Sequence, residues 1–298
     1  MDISSINLAP GRYVLAVSGG VDSMVLLNLL LQFAEVKLTV AHFDHGIRAD
    51  SNEDRRLVQS AAASYGLPFV YHEGRLGTNA SEATARKARY EFLRLVQVAA
   101  GAQAIITAHH QDDLLETAIL NMLRGTNRRG LSSLQSRPNI IRPLLHVSKP
   151  EIVDHARRHN LIWREDSTNQ DIKFKRNYVR QQIIPRLDTD GRARLLDIIA
   201  DNLRINQELD QELINQLHYQ RQAHTLNKSW FASLPHSVAR EVMATWLREH
   251  GLTNFDRRTL ERLTVMAKTQ AIGQRINIFQ KHWMDIKGDH LALTTAER

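Results

Sequence analysis

The residues best suited to chemistry are Ser18-Gly19-Gly20-Val21-Asp22-Ser23. They follow a short apolar run, Arg12–Ser18, and open a segment, Val21–Phe33, that reads as a helix. A glycine turn between strand and helix points unpaired backbone N–H groups and the positive end of a helix dipole at one spot, which favours an anion. Gly19 and Gly20 allow the backbone to approach phosphate oxygens closely, and Ser18 and Ser23 add hydroxyl donors. Asp22 is placed either to cap the helix or to hold Mg²⁺. The loop lacks the lysine of the GxxxxGK[ST] pattern, so it is not of the Walker type. The plainer alternative is an ordinary glycine turn with an aspartate cap, and the complete hexapeptide in this context outweighs it.

Other side chains gather at the ends of further expected strands. Asp113 and Glu116 lie three apart on an expected helix and so share a face. Two nearby carboxylates suit a cation, either Mg²⁺ or an ammonium, and one of them can act as a base. An acidic first helical turn that simply favours the dipole is the structural alternative. Arg86 and Arg89 share a helix face and suit phosphates or a developing anion, with surface salt bridging as the alternative. His42, His45, His109 and His110 stand at two strand ends. Without cysteines or a fixed ligand spacing they argue against zinc, and lining a nucleotide pocket or satisfying backbone groups is the better reading. Trp163, Trp230, Trp246 and Trp283 read as core, although Trp163 lies in a basic stretch where it would be able to stack on a base.

These positions need a scaffold that brings strand ends together. Strands are expected at Lys37–His45, Pro68–His72, Ala104–His109 and Ile140–Leu145, besides Arg12–Ser18. Helices are expected at Val21–Phe33, Asn52–Tyr65, Ala80–Ala100, Asp112–Leu123 and Lys149–Asn160. Strand–helix alternation implies parallel strands joined by crossovers, hence an α/β fold with a doubly wound parallel sheet that binds ligands at the carboxyl ends of its strands. A long helix, Arg192–His218, then leads to two more, Ser237–His250 and Asp256–Lys268, and to short alternating runs at 274–279, 283–286 and 291–294. The expected division is residues 1–187 as the catalytic domain, 188–218 as a connecting helix and 219–298 as a smaller, mainly helical substrate domain.

Composition narrows the function. The 298 residues carry a net charge of +7 and no cysteine, which excludes disulfides, thiolate metal sites and cysteine nucleophiles within this sequence. Residues 124–180 hold 13 Lys/Arg against 5 Asp/Glu, a net of +8, so the remainder sums to −1. A concentrated basic segment is the footprint of a polyanion such as nucleic acid, or else a solvated basic face. No apolar run approaches the roughly 18 residues that span a bilayer, and the first residues do not read as a signal peptide. A cytoplasmic protein is the expectation. The oligomeric state, homodimer included, stays open.

The hexapeptide SGGVDS resembles the loop of the PP-loop ATP pyrophosphatases, also grouped as adenine nucleotide alpha hydrolase-like folds. Further segments are similar to the tRNA(Ile)-lysidine synthase family. They are His42-Phe43-Asp44-His45-Gly46-Ile47-Arg48, Ala85-Arg86-Lys87-Ala88-Arg89-Tyr90, Thr107-Ala108-His109-His110-Gln111-Asp112-Asp113-Leu114-Leu115-Glu116-Thr117, Leu123-Arg124-Gly125-Thr126, Arg164-Glu165-Asp166-Ser167-Thr168-Asn169 and Arg176-Asn177-Tyr178-Val179-Arg180. Asn127 departs from the family's usual glycine.

The resemblance implies ATP and Mg²⁺ as cofactors, and L-lysine and a tRNA(Ile) with a CAU anticodon as partners. The implied chemistry is adenylation of the wobble cytidine, then displacement of AMP by the lysine ε-amine. Under it, Ala16, Ser18 to Ser23, His42 and His109 would bind nucleotide. Asp22, Arg89, Asp113 and Glu116 would serve catalysis, with Asp22 and Asp113 as metal ligands. Arg86, Arg124, Arg128, Arg129, Arg176 and Arg180 would hold substrate. Rival readings are a tRNA thiolase, disfavoured by the missing cysteines, an amide-forming synthetase, which has no use for the basic segment, and a nucleotide-binding protein without activity, which needs neither the arginine helix nor the carboxylates.

Overall fold

A computed structural model describes residues 6–46, 51–77, 81–126, 128–165, 175–219, 221–222, 225–253 and 255–295. The chain divides into two compact units, Met1–Asn202 and Leu203–Arg298.

The first unit opens with β1 (Gly11–Ala16), α1 (Val21–Leu30), β2 (Val36–Asp44), α2 (Ser51–Ser64), β3 (Phe69–Glu73), α3 (Glu82–Ala99), β4 (Ala104–Ile106), α4 (Gln111–Leu123), β5 (Ile140–Ile141) and α5 (Lys149–Arg158). All five strands are parallel, in the order β3-β2-β1-β4-β5. The central strand reads as a continuous apolar run because both its faces are covered. Tyr13 and Leu15 face α1, α2 and α5, while Val14 faces α3 through Tyr90, Leu93 and Val96. Helix α1 has no polar face to speak of; eight of its ten residues are buried, since it packs against both the sheet and α5. The chain runs outward from β1 to β3, then returns through α3 to β4 on the other side of β1. Strand order therefore reverses between β1 and β4, the place where doubly wound sheets leave a crevice at their carboxyl ends.

The rest of this unit is irregular. A single helical turn, α6 (Lys175–Tyr178), continues as a π-helical turn (Val179–Ile183) and a 3-10 turn (Ile184–Arg186). Val179 and Ile184 seat these turns against Leu115, Ile119 and Leu120 of α4. Helix α7 (Thr189–Tyr219) follows, and the boundary between the compact units falls inside it. The sequence-expected strand over Ile140–Leu145 is only two residues long; Leu144 and Leu145 are buried by the turn that leads to α5 instead.

In the second unit come β6 (Arg221–Gln222), β7 (Thr225–Asn227), α8 (Lys228–Ser233), α9 (His236–Glu249), α10 (Arg257–Thr269), β8 (Arg275–Phe279), β9 (His282–Lys287) and β10 (His290–Thr295). Its strands form an antiparallel sheet, β6-β7-β10-β9-β8, packed on helices around Trp246, Phe231, Met243 and Met284. The three alternating runs near the end of the sequence become β8, β9 and β10. The two-residue β6, the three-residue β7 and the single short helix α8 carry no alternation or helical period of their own and do not announce themselves. Among the described residues no helix is long and apolar enough to cross a membrane.

Candidate functional site

At the end of β1 the chain turns through Ser18, Gly19 and Gly20 into α1, whose N-cap is Gly20. Gly19 takes φ +95, which a side chain would strain, and its carbonyl accepts a 3.0 Å bond from the Arg164 N–H. The Arg164 guanidinium in turn holds Asp54 at 2.8 Å and also Glu53, tying the loop to α2. From within, Ser23 Oγ donates to Gly20 O at 2.9 Å and accepts from Ser18 N at 3.2 Å. His42 braces the base: its Nδ1–H donates to Val17 O at 2.9 Å, and burial pushes the imidazole pKa down. Among the described residues, a Cβ built on Gly20 would meet only Ser18 Oγ at 3.5 Å and Arg164 O at 4.0 Å.

Across the strand reversal, β4 leads through Thr107 and His109 to His110, the N-cap of α4. His110 accepts from Asp112 N at 3.2 Å, and Asp113 returns the favour by accepting from His110 N at 3.0 Å. The remaining ring nitrogen of His110 lies 3.7 Å from both Asp22 Oδ2 and Asp113 Oδ2, so the two loops meet at this histidine. Asp22 Oδ1 receives a 2.6 Å bond from Lys149 Nζ. Burial works to raise the Asp113 pKa, but His110, His109 and Arg180 outweigh it and hold the carboxyl below its ordinary range.

Glu116 is buried completely. Arg176 Nε reaches its Oε2 at 2.9 Å, and Arg180 spans both oxygens at 2.5 and 3.0 Å. Arg180 also lies 3.3 Å from Asp113 Oδ1, and Arg176 bonds Glu82 at 3.0 Å. Helix α6 carries Arg176 and the π-helical turn that continues it carries Arg180, so the two consecutive turns bring both arginines to the same carboxylate. Desolvation disfavours their charge, but the bonds to Glu116 more than restore it, and both guanidinium pKa values are raised. Nearby, Arg86 and Arg89 lie over the Tyr90 ring, 4.8 and 5.5 Å from its centre. Burial, with the like charges of Arg86 and Arg176, lowers the Arg89 pKa; Arg142, buried beyond β5, is lowered by burial and by Arg86 and Arg137. His109, bonded to Thr107 Oγ1 at 2.8 Å, is pushed down to about 3 by burial, with Arg89, Arg142 and Arg86 acting the same way. This corner is electropositive and suits an anion.

The sequence-expected residues therefore divide. Ala16 through Ser23, His42, His109, Arg86, Arg89 and Asp113 come together around the β1–β4 crevice. Glu116, Arg176 and Arg180 join them, but as a mutually satisfied cluster, where the sequence reading has Glu116 paired with Asp113 for a cation and Arg176 and Arg180 holding substrate. The reason is burial: a carboxylate without access to water needs counter-charges. Arg124 caps the end of α4 and is exposed, and Arg128 and Arg129 are half-buried just beyond it. Asn127, Ile47, Arg48 and the Asp166-Ser167-Thr168-Asn169 stretch lie outside the described residues. Trp163 packs against the core of the first unit. Lys149, Arg142 and the loop-holding role of Arg164 escaped the sequence reading; only the odd placing of a lysine at a helix start hinted at the first. Asp22 fits Mg²⁺ as one hard oxygen ligand of a set completed by phosphates and water, the habit of that ion, and among the described residues no three His, Cys, Asp or Glu converge on a site of their own.

The PP-loop domain family pattern matches residues 4–187. The chain is 38% identical over 189 residues to a tRNA(Ile)-lysidine synthase of Thermotoga maritima, covering 60% of this chain and 46% of that one. A tRNA(Ile)-lysidine synthase of Geobacter sulfurreducens is 35% identical over 226 residues, covering 70% and 48%. One of Thermus thermophilus is 41% identical over 191 residues, covering 61% and 37%. The chain thus matches less than half the length of these relatives. The solved structure of the U34-tRNA thiolase NcsA from Methanococcus maripaludis, with its [4Fe-4S] cluster, shares the fold at a TM-score of 0.56, with 16% identity over 66% of this chain and 73% of that one.

Proposed function

We propose that this chain, which belongs to the PP-loop domain family, is a tRNA(Ile)-lysidine synthase: it adenylates the wobble cytidine of tRNA(Ile) with ATP and replaces AMP by L-lysine. The observation that carries the reading is the meeting, at the β1–β4 crevice, of the open glycine loop with the start of α4. The relatives named for this activity match the chain across that region.

In this reading the loop N–H groups and the α1 dipole hold the phosphates of ATP. Bound Mg²⁺ supplies charge neutralisation on those phosphates. The cytidine carbonyl oxygen attacks the α-phosphate and pyrophosphate leaves. Arg86 and Arg89, half-desolvated above Tyr90, offset the anionic charge that builds there. The lysine ε-ammonium, with a reference pKa near 10.4, must be bound and then deprotonated before it attacks. Asp113 suits the first task, since His110, His109 and Arg180 hold its carboxyl below the ordinary carboxylate range and so favour the anion that attracts the ammonium, and it is the carboxylate placed to take the proton. Glu116 anchors Arg176 and Arg180, fixing the wall against which Asp113 stands. Arg124, Arg128 and Arg129 carry tRNA phosphates. The protein works in the cytoplasm.

Incubation with ATP, tRNA and radiolabelled lysine, followed by nucleoside analysis, tests the reading. Label in a modified cytidine, with pyrophosphate release that requires the tRNA, is the expected result. Pyrophosphate release that proceeds equally without tRNA sinks it in favour of a small-acid synthetase.

A further inference from the structure

Lys149 is the first residue of α5, where a cation opposes the helix dipole. The helix start does not need it, because Ser148 and Glu151 already close that end with a reciprocal capping box. Its Nζ lies instead 2.6 Å from Asp22 Oδ1, on the first turn of α1 directly behind the glycine loop. Their side chains are 37% and 27% exposed, and an ion pair this open to water is weak and exchanges partners readily. The other Asp22 oxygen has His110 at 3.7 Å. The loop contains no lysine of its own. A lysine is a compact charge on a flexible four-carbon stem, fit to pivot from one anion to an adjacent one.

We propose that Lys149 is a phosphate-binding residue, which neutralises Asp22 in the nucleotide-free chain and moves its ammonium to the β- and γ-phosphates, or to released pyrophosphate, when Asp22 takes up Mg²⁺. The inference rests on the ATP reading above and adds a residue to it. Two anionic demands, from the carboxylate and from the phosphates, share one cation. Mg²⁺ frees Lys149 from Asp22, so metal and phosphate binding support each other.

The test is calorimetric binding of ATP and of pyrophosphate, each with Mg²⁺ and without tRNA or lysine, to the unaltered chain, Lys149→Met, Lys149→Arg and the same-helix control Arg158→Met. Arg158 pairs with Asp154 on the exposed side of α5, so its loss serves as a charge control. Lys149→Met weakens pyrophosphate about tenfold or more, the loss expected for a hydrogen bond between charged groups. Lys149→Arg recovers most of that affinity and Arg158→Met keeps it. Thermal melting verifies that every variant is folded; if Lys149→Met melts early, the Lys149→Arg affinity against that of Arg158→Met decides. Normal or tighter pyrophosphate binding by Lys149→Met overturns the proposal and leaves Lys149 as a mere counter-ion of Asp22. An unaltered chain that binds no ATP overturns the nucleotide reading itself, and this inference with it.

Discussion

Asp22 and Glu116 stand on the helices that follow the two central strands, yet they live in opposite conditions. Asp22 keeps 27% of its side chain in water and has one flexible lysine on one oxygen. Glu116 has none in water and both oxygens bound by two arginines. An exposed pair contributes little to stability and can be remade around a ligand. A buried one is costly to break and cannot be lent to a substrate. The crevice thus has a yielding side, at the glycine loop, and a rigid side, at the π-helical turn.

The sharpest way to break this contrast is Glu116→Gln. It removes the buried anion that Arg176 and Arg180 share, and the first unit should lose about 3 kcal/mol in urea unfolding. Asp22→Asn, by the same measurement, should change stability by less than about 1 kcal/mol. Equal losses would erase the distinction. Next comes Gly20→Val. Among the described residues the nearest atom to its Cβ is 3.5 Å away, so the chain should fold and melt normally. Its ATP-dependent pyrophosphate release should fall at least about 100-fold, because the side chain fills the phosphate's place. Normal turnover would move the nucleotide elsewhere.

The rigid side also predicts a pH dependence. His109 has its folded pKa depressed from 6.5 to about 3, so between these values the unfolded chain binds a proton that the folded one refuses. Stability is therefore full above pH 6.5 and falls as pH drops, with a slope of up to about 1.4 kcal/mol per pH unit from this residue. His109→Gln should flatten urea-unfolding stability by about one proton over that window; an unchanged slope would show that His109 accepts a proton in the fold. The smallest effect belongs to the surface beyond α4. Arg124→Glu with Arg128→Glu should weaken tRNA binding and reduce its log–log salt slope by about 2, leaving ATP affinity alone. Charge reversal at Arg176 and Arg180 cannot serve this purpose, since it would empty the Glu116 clamp.

Much of the fold was legible because its signals are local and repeated. Strand–helix alternation and the all-apolar β1 and α1 need no distant partner to be read, and the observed elements begin and end within a few residues of the expected ones. The phosphate loop was legible for the same reason: six consecutive residues carry the turn, the donors and the dipole. The roles at Asp113, Glu116, Arg176 and Arg180 were legible only as residue types, since spacing along a helix says which side chains share a face but not what faces them.

Sequence alone thus determined that a glycine turn with unpaired N–H groups stands between β1 and α1, because the conformation of such a turn is a local property. It also determined that the chain carries a concentrated basic segment. Tertiary structure alone decided which charges remain available. Lys149 lies 127 positions from Asp22, and Arg180 lies 64 positions from Glu116. Only the crossover of the chain from β3 to β4, the seating of α5 beside α1 and the π-helical turn against α4 bring those pairs together. Burial then makes one carboxylate a fixed anchor, and residual hydration leaves the other free to change partners.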